Sequence, residues 1–113
     1  MTNENQEQED INLVEYLNSD TVDNFIEKDI KIILLYMEDS TASRFQEEQL
    51  RGLLENYEGK FSLGLLNVLE NQSFAIRNNI ISFPTTLYFK DGELMSSESG
   101  VQSGIENSLM GIL

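Results

Sequence analysis

Residues 31–37 read Lys-Ile-Ile-Leu-Leu-Tyr-Met, and the six positions Ile32 to Met37 are apolar without interruption. Such a run neither alternates, as a half-solvated strand would, nor repeats every 3.6 residues, as an amphipathic helix would. Rich in branched side chains, it fits a strand buried on both faces, in the middle of a parallel sheet with helices packed on either side. Six residues fall far short of the roughly 20 needed to span a bilayer. The chain has 113 residues, 40% of them apolar, which suits one compact core.

The flanking segments supply the rest of that sheet. Ile11 to Leu17 suits an edge strand, and "SDTVDNFIEK" suits a short helix capped by Ser19 or Asp20, with Val22, Phe25 and Ile26 turned inward. From Ala42 the apolar positions Ala42, Phe45, Leu50, Leu53, Leu54 and Tyr57 follow a helical period, and this long helix ends near Gly59. Lys60 to Leu69 reads as a second buried strand, followed by a short helix containing Phe74 and Ile76. Thr85 to Phe89, a turn at Asp91-Gly92 and "ELMSSE" form a hairpin, and a last helix carries Val101, Ile105, Leu109 and Ile112 on one stripe. The expected order is β-α-β-α-β-α-β-β-α, an α/β fold with a central mixed β-sheet flanked by helices, parallel in its first half and antiparallel in its second.

Charge and residue types restrict function. Seven basic residues against twenty acidic ones give a net charge of −13, which disfavours nucleic acid and anionic membrane surfaces as partners. With no cysteine and no histidine, thiol nucleophiles, Cys/His zinc sites and Ser-His catalysis are ruled out, and neither a cofactor nor a metal is expected. Residues 1–10, "MTNENQEQED", are polar and acidic, unlike a secretory signal, and read as a solvated, disordered tail ahead of a single domain over 11–113. The expected location is the cytoplasm, and the expected state is a monomer.

Two places carry the functional question. "EDSTASRF" puts Ser40 and Ser43 between the buried run and the long helix, where Asp39 or Ser40 suits an N-cap. Pro84, the only proline, stands immediately before a strand, where it removes a single donor from the ladder. On residue type alone its peptide bond is expected to be trans, since only about 5 to 6% of X-Pro bonds in folded proteins are cis.

From about Ile32 to Glu93 the residues resemble the thioredoxin family without a gap. The family's Trp-Cys-Gly-Pro-Cys-Lys falls on "DSTASR", so that Ser40 and Ser43 occupy the two cysteine positions and Arg44 the lysine. "ENYEGKFSLGLLNV" is similar to the family's Glu-Tyr-x-Gly-Lys turn and the strand after it, and Ile-Pro-Thr before x-Phe-Lys-x-Gly-Glu falls on "FPTTLYFKDGE". The family's later glycine falls on Gly100.

The resemblance implies a thioredoxin-like fold and a cis Phe83-Pro84 bond. It also implies departures: the family's buried aspartate, its proton acceptor during exchange, aligns with Leu34, and the neighbouring buried lysine aligns with Leu65. Removing one member of a buried ion pair costs about 3 to 5 kcal/mol, whereas replacing both with apolar residues is often neutral, so the paired loss is physically coherent. The tryptophan is Asp39 and the mid-helix proline is Glu48, so no kink is expected.

Three readings of the serine pair stay open. The first is pure capping. The second is a retained groove, formed by Asp39, Ser40, Thr41, Ala42, Ser43, Phe83, Pro84 and Thr85, that binds a protein or extended peptide after redox activity was lost. Glu38, Asp39, Glu47 and Glu48 beside it favour a basic partner. The third is a thioredoxin-type thiol-disulfide oxidoreductase in which serines stand in place of cysteines. Thioredoxin-like chaperones of hydrogenase maturation, which lack the dithiol, look similar around "FPTTLYF", a likeness confined to that stretch.

Overall fold

The computed structural model of the chain describes residues 14–113; the tail at 1–10 and the first three residues of the expected edge strand lie outside them. The elements are β1 (Val14–Leu17), α1 (Val22–Ile26), β2 (Ile30–Tyr36), α2 (Thr41–Asn56), β3 (Ser62–Asn67), a 3-10 turn (Val68–Glu70), α3 (Gln72–Arg77), β4 (Thr85–Lys90), β5 (Glu93–Ser99) and α4 (Ile105–Met110). They form one five-stranded sheet in the order β1-β3-β2-β4-β5. β3 pairs parallel with β1 and β2, while β4 pairs antiparallel with β2 and β5. The expected order and the split between parallel and antiparallel halves are both present.

β2 lies in the middle because it has no face to offer water. Ile32, Ile33, Leu34 and Leu35 are fully buried. Ile33 and Leu35 join Leu66, Leu87 and Phe89 under Val22 and Phe25 of α1 and Phe74 and Ala75 of α3. Ile32 and Leu34 join Leu63, Leu65 and Tyr88 under Leu50, Leu53 and Leu54 of α2 and Ile105 and Leu109 of α4. Burying side chains of this size stabilises the fold by about 1.5 to 3 kcal/mol each. In β3, Gly64 permits a close approach: a Cβ there would stand 2.5 Å from Leu17 Cδ1 and 2.9 Å from Phe25 Cε2. The hairpin turns on Asp91 and Gly92, both with positive φ, 50° and 87°, as a two-residue type I′ loop requires.

Two helix faces and one cap differ from the expected ones. In α2 the inward residues are Ser43, Gln46, Leu50, Leu53 and Leu54, whereas Ala42 and Phe45 face solvent. The stripe set by Leu50 and Leu53 runs back four and seven positions to Gln46 and Ser43, so helical geometry overrides the hydrophobicity of Phe45. Ile76 of α3 is exposed while Phe74 and Ala75 are buried. Val101 is exposed and precedes α4, which buries only Ile105 and Leu109, with Ile112 just beyond it. Neither Ser19 nor Asp20 caps α1: its N-cap is Thr21, whose hydroxyl makes no capping bond, and Asn18 Oδ1 instead accepts from the Asp20 and Thr21 N–H groups. An asparagine closing such a turn on the backbone two residues ahead competes successfully with capping.

α4 is fastened to the sheet by a polar bridge. The Tyr88 hydroxyl donates to Glu98 Oε1 at 3.0 Å, and Ser108 Oγ donates to Glu98 Oε2 at 2.5 Å. Burial, then the Glu98 charge and its hydrogen bond, hold the Tyr88 phenol far above its ordinary value. A phenol raised in the folded state contributes stability that is complete below its unfolded pKa of about 10 and is lost as pH rises above it. Urea unfolding across alkaline pH is therefore expected to show a steep fall in stability beyond about pH 10. Tyr88→Phe should flatten that fall, and an unchanged slope in the variant would remove Tyr88 as its source.

Candidate functional site

The site grows from the end of β2. After Tyr36 the chain turns through Met37–Ser40, closed by the Ser40 N–H donating to the Met37 carbonyl at 3.2 Å. Asp39 takes a positive φ of 65°, a conformation that Asp tolerates better than most residues. Ser40 then caps α2 from extended backbone, its Oγ accepting from the Ser43 N–H at 3.1 Å. Ser43 is buried, and its Oγ accepts from the Met37 N–H at 3.1 Å. Both hydroxyls thus satisfy backbone donors: one at the free helix start, the other where the strand leaves the sheet.

The family likeness places Leu34 and Leu65 below this pair. They are cross-strand partners in the β2–β3 register, both buried in the core under α2. No ionisable group therefore supports the serines from below at these positions.

Phe83, Pro84 and Thr85 approach from β4. Thr85 pairs with Leu35, which puts this loop at the sheet end that also carries Met37. The Phe83-Pro84 bond is cis, as the family likeness implies and contrary to the expectation from residue type alone. Phe83 packs, half-buried, against the core cluster that Met37 also touches. The Thr85 hydroxyl donates to the Ser82 carbonyl at 2.6 Å, and the Gly100 N–H donates to the Pro84 carbonyl at 2.7 Å.

A shallow cleft of about 230 Å³ gathers Asp39, Ser40 and Ser43 with Tyr36, Met37, Glu38, Arg44 and Glu47. Thr41 and Ala42 are exposed on the first turn of α2 but do not line the cleft, and neither do Phe83, Pro84 and Thr85. The expected residues therefore share one end of the sheet without forming a single closed groove.

Several nearby acids are already engaged. Glu47 pairs with Arg51 at 2.9 Å, and Glu38 accepts from Asn67 Nδ2 at 3.2 Å. Glu38, Asp39 and Glu47 outnumber Arg44 in the cleft lining, so negative charge prevails there, and the Tyr36 phenol is raised above its ordinary value by burial first and then by Tyr16, Glu38, Glu47 and Glu70. Among the described residues no group of three or more acidic, cysteine or histidine side chains is placed to hold a metal ion. No helix among them is long and apolar enough to cross a membrane.

Two buried polar residues near the site were not expected. Asn67 accepts from the Leu69 N–H while its carbonyl accepts from Asn71 Nδ2, and Asn71 Oδ1 accepts from Ser19 Oγ. An asparagine closing an apolar strand was the available sign. Gln46 is fully buried in α2 and bonds to the backbone of Gln102; its position on the Leu50–Leu53 stripe could have exposed it.

No family model matches the chain. A thioredoxin from Staphylococcus epidermidis is 31% identical over 80 residues, which cover 71% of this chain and 77% of that protein. The chain belongs to the thioredoxin superfamily. Thioredoxin from Staphylococcus aureus is 40% identical over a shorter stretch of 53 residues, 47% of this chain and 51% of its own length. Among solved structures, Malassezia sympodialis thioredoxin superposes with a TM-score of 0.79 at 16% identity, covering 88% of this chain and 92% of that one. A mutant thioredoxin from Halobacterium salinarum gives 0.80 at 20%, covering 89% and 91%. At those identities the likeness carries the thioredoxin fold alone.

Both serines should behave as structural acceptors. Ser40→Ala is expected to lower stability by about 1 kcal/mol through loss of the cap. Ser43→Ala should cost about 1 to 2 kcal/mol, because it leaves the Met37 N–H without a partner in a half-buried turn. Urea unfolding of the two variants measures both costs, and unchanged midpoints would contradict these roles.

Proposed function

We propose that this chain is a redox-inactive member of the superfamily, a protein-binding or chaperone-like accessory module that meets its partner at the Ser40 end of α2 and the Phe83-Pro84 loop. The observation that carries this reading is the use of both serine hydroxyls as acceptors for backbone N–H groups, in a chain without cysteine. A serine at a helix start cannot form a disulfide and ionises far less readily than a thiol. With no histidine in the chain, nothing of the usual kind activates it. The apolar pair Leu34 and Leu65 supports the same conclusion.

A binding role is supported by what the same end exposes. Ile81, two residues before the half-buried Phe83, is 92% exposed. Large apolar side chains in water beside a conformationally fixed loop are a recurrent feature of protein contact sites. The prevailing negative charge favours a basic segment, which the half-exposed cleft would take in extended form. The acidic surface suits a cytoplasmic monomer that does not bind nucleic acid or anionic lipid.

Partner recovery from native lysate on the immobilised chain tests the reading. Phe83→Ala and Asp39→Asn are expected to reduce recovery of the same protein several-fold; asparagine keeps the left-handed backbone accessible while removing the charge. Equal recovery with both variants would refute this end of the molecule as the contact surface.

A further inference from the structure

Gln46 is the largest polar side chain buried without any exposure. It sits one turn after Ser43 on the same inward stripe of α2, where an apolar residue would pack without needing partners. Its amide is spent entirely on one residue from a distant segment: Gln46 Oε1 accepts from the Gln102 N–H at 2.6 Å, and Gln46 Nε2 donates to the Gln102 carbonyl at 3.4 Å. A buried carboxamide bonded to both the N–H and the carbonyl of one residue pairs with it as a neighbouring strand would, fixing that residue in direction as well as distance.

The segment so held leads straight to the candidate site. Gln102 Nε2 donates to the Ser99 carbonyl at 2.6 Å, closing residues 99–102 into a tight bend. Within that bend Gly100, at φ 76°, donates its N–H to the Pro84 carbonyl at 2.7 Å. A continuous set of bonds thus runs from α2, whose first turn carries Ser40 and Ser43, through Gln46 and residues 99–102 to the Phe83-Pro84 loop. These two parts of the site come from different elements and do not share the cleft.

We infer that Gln46 is a positioning residue: by clamping Gln102 to α2 it sets where the Phe83-Pro84 loop stands relative to the Ser40 end, and so shapes the surface offered to a partner. The functional half of this inference rests on the partner-binding role proposed above. The mechanical half stands on the hydrogen bonds alone.

Gln46→Met, close in volume and unable to make either bond, separates the two halves. Amide hydrogen exchange in the variant is expected to be about tenfold faster at Gly100 and Gln102, the factor carried by one hydrogen bond of ordinary net strength. Amides of Ile33 and Leu65, in the middle of the sheet, should change only as far as global stability does. Gln46→Leu, which likewise makes neither bond and packs against the same apolar stripe, should also accelerate Gly100 and Gln102 and serves if Gln46→Met fails to fold. Recovery of the partner on the immobilised variant should fall along with Gly100 protection. Uniform acceleration at all four amides, or none at Gly100, would overturn the clamp. Local acceleration with undiminished recovery would overturn the positioning role and leave the binding reading intact. If the unsubstituted chain recovers no partner, the binding reading and the positioning role fail together, and the exchange result still decides the clamp.

Discussion

Ile32, Ile33, Leu34 and Leu35 bury alternate side chains on the two faces of the sheet, and the rest of the architecture follows from that double burial. A strand with no solvated face must have neighbours on both edges and helices over both faces. β3 and β4 supply the edges, and α1 and α3 on one face and α2 and α4 on the other supply the cover. With β2 held this way, its last residues open at one end of the sheet. There the turn into α2 and the entry to β4 are brought to neighbouring positions by the pairing of Leu35 with Thr85.

That end of the sheet retains the thioredoxin framework, and on the proposed reading its hydroxyls serve structure in place of redox chemistry. Where a dithiol would need a thiolate stabilised at the helix start and a proton acceptor below it, Ser40 and Ser43 accept from backbone donors. Leu34 and Leu65 pair across β2 and β3 in the core under α2. Each change is locally favourable: the cap satisfies a free helix N–H, the buried hydroxyl satisfies a turn N–H, and two apolar side chains replace a charged pair that would have to be desolvated. Gln46 extends this polar framework by tying α2 to residues 99–102, and through Gly100 to the proline loop.

The parts of this structure legible in the sequence were those decided locally. The run at Ile32 to Met37 announced a central strand because no periodicity could solvate one of its faces. Asp91-Gly92 announced its hairpin, and Asp39-Ser40 a cap that falls on Ser40, because turn and cap preferences act within a few residues. Phe45 and Val101 were misassigned because hydrophobicity does not state which way a side chain faces. Ser43, Gln46 and Asn67 were passed over despite their places on an inward stripe and at the end of a buried strand, since a polar group is buried only where a partner meets it. The partner of Gln46 lies 56 residues away and that of Asn67 Nδ2 lies 29 away. The cis state of the Phe83-Pro84 bond was likewise invisible to residue type and followed only from the family likeness.

The central claim is that redox chemistry has been lost beneath the serines as well as at them. The most direct test is the rate of disulfide reduction by the Ser40→Cys/Ser43→Cys double variant, compared with a thioredoxin that retains its buried aspartate. The account predicts a rate lower by about a hundredfold, the lower end of what a positioned general base contributes, with recovery when Leu34→Asp is added if that variant folds. A double variant as fast as the thioredoxin would contradict the account and show that only two hydroxyls separate this chain from an oxidoreductase.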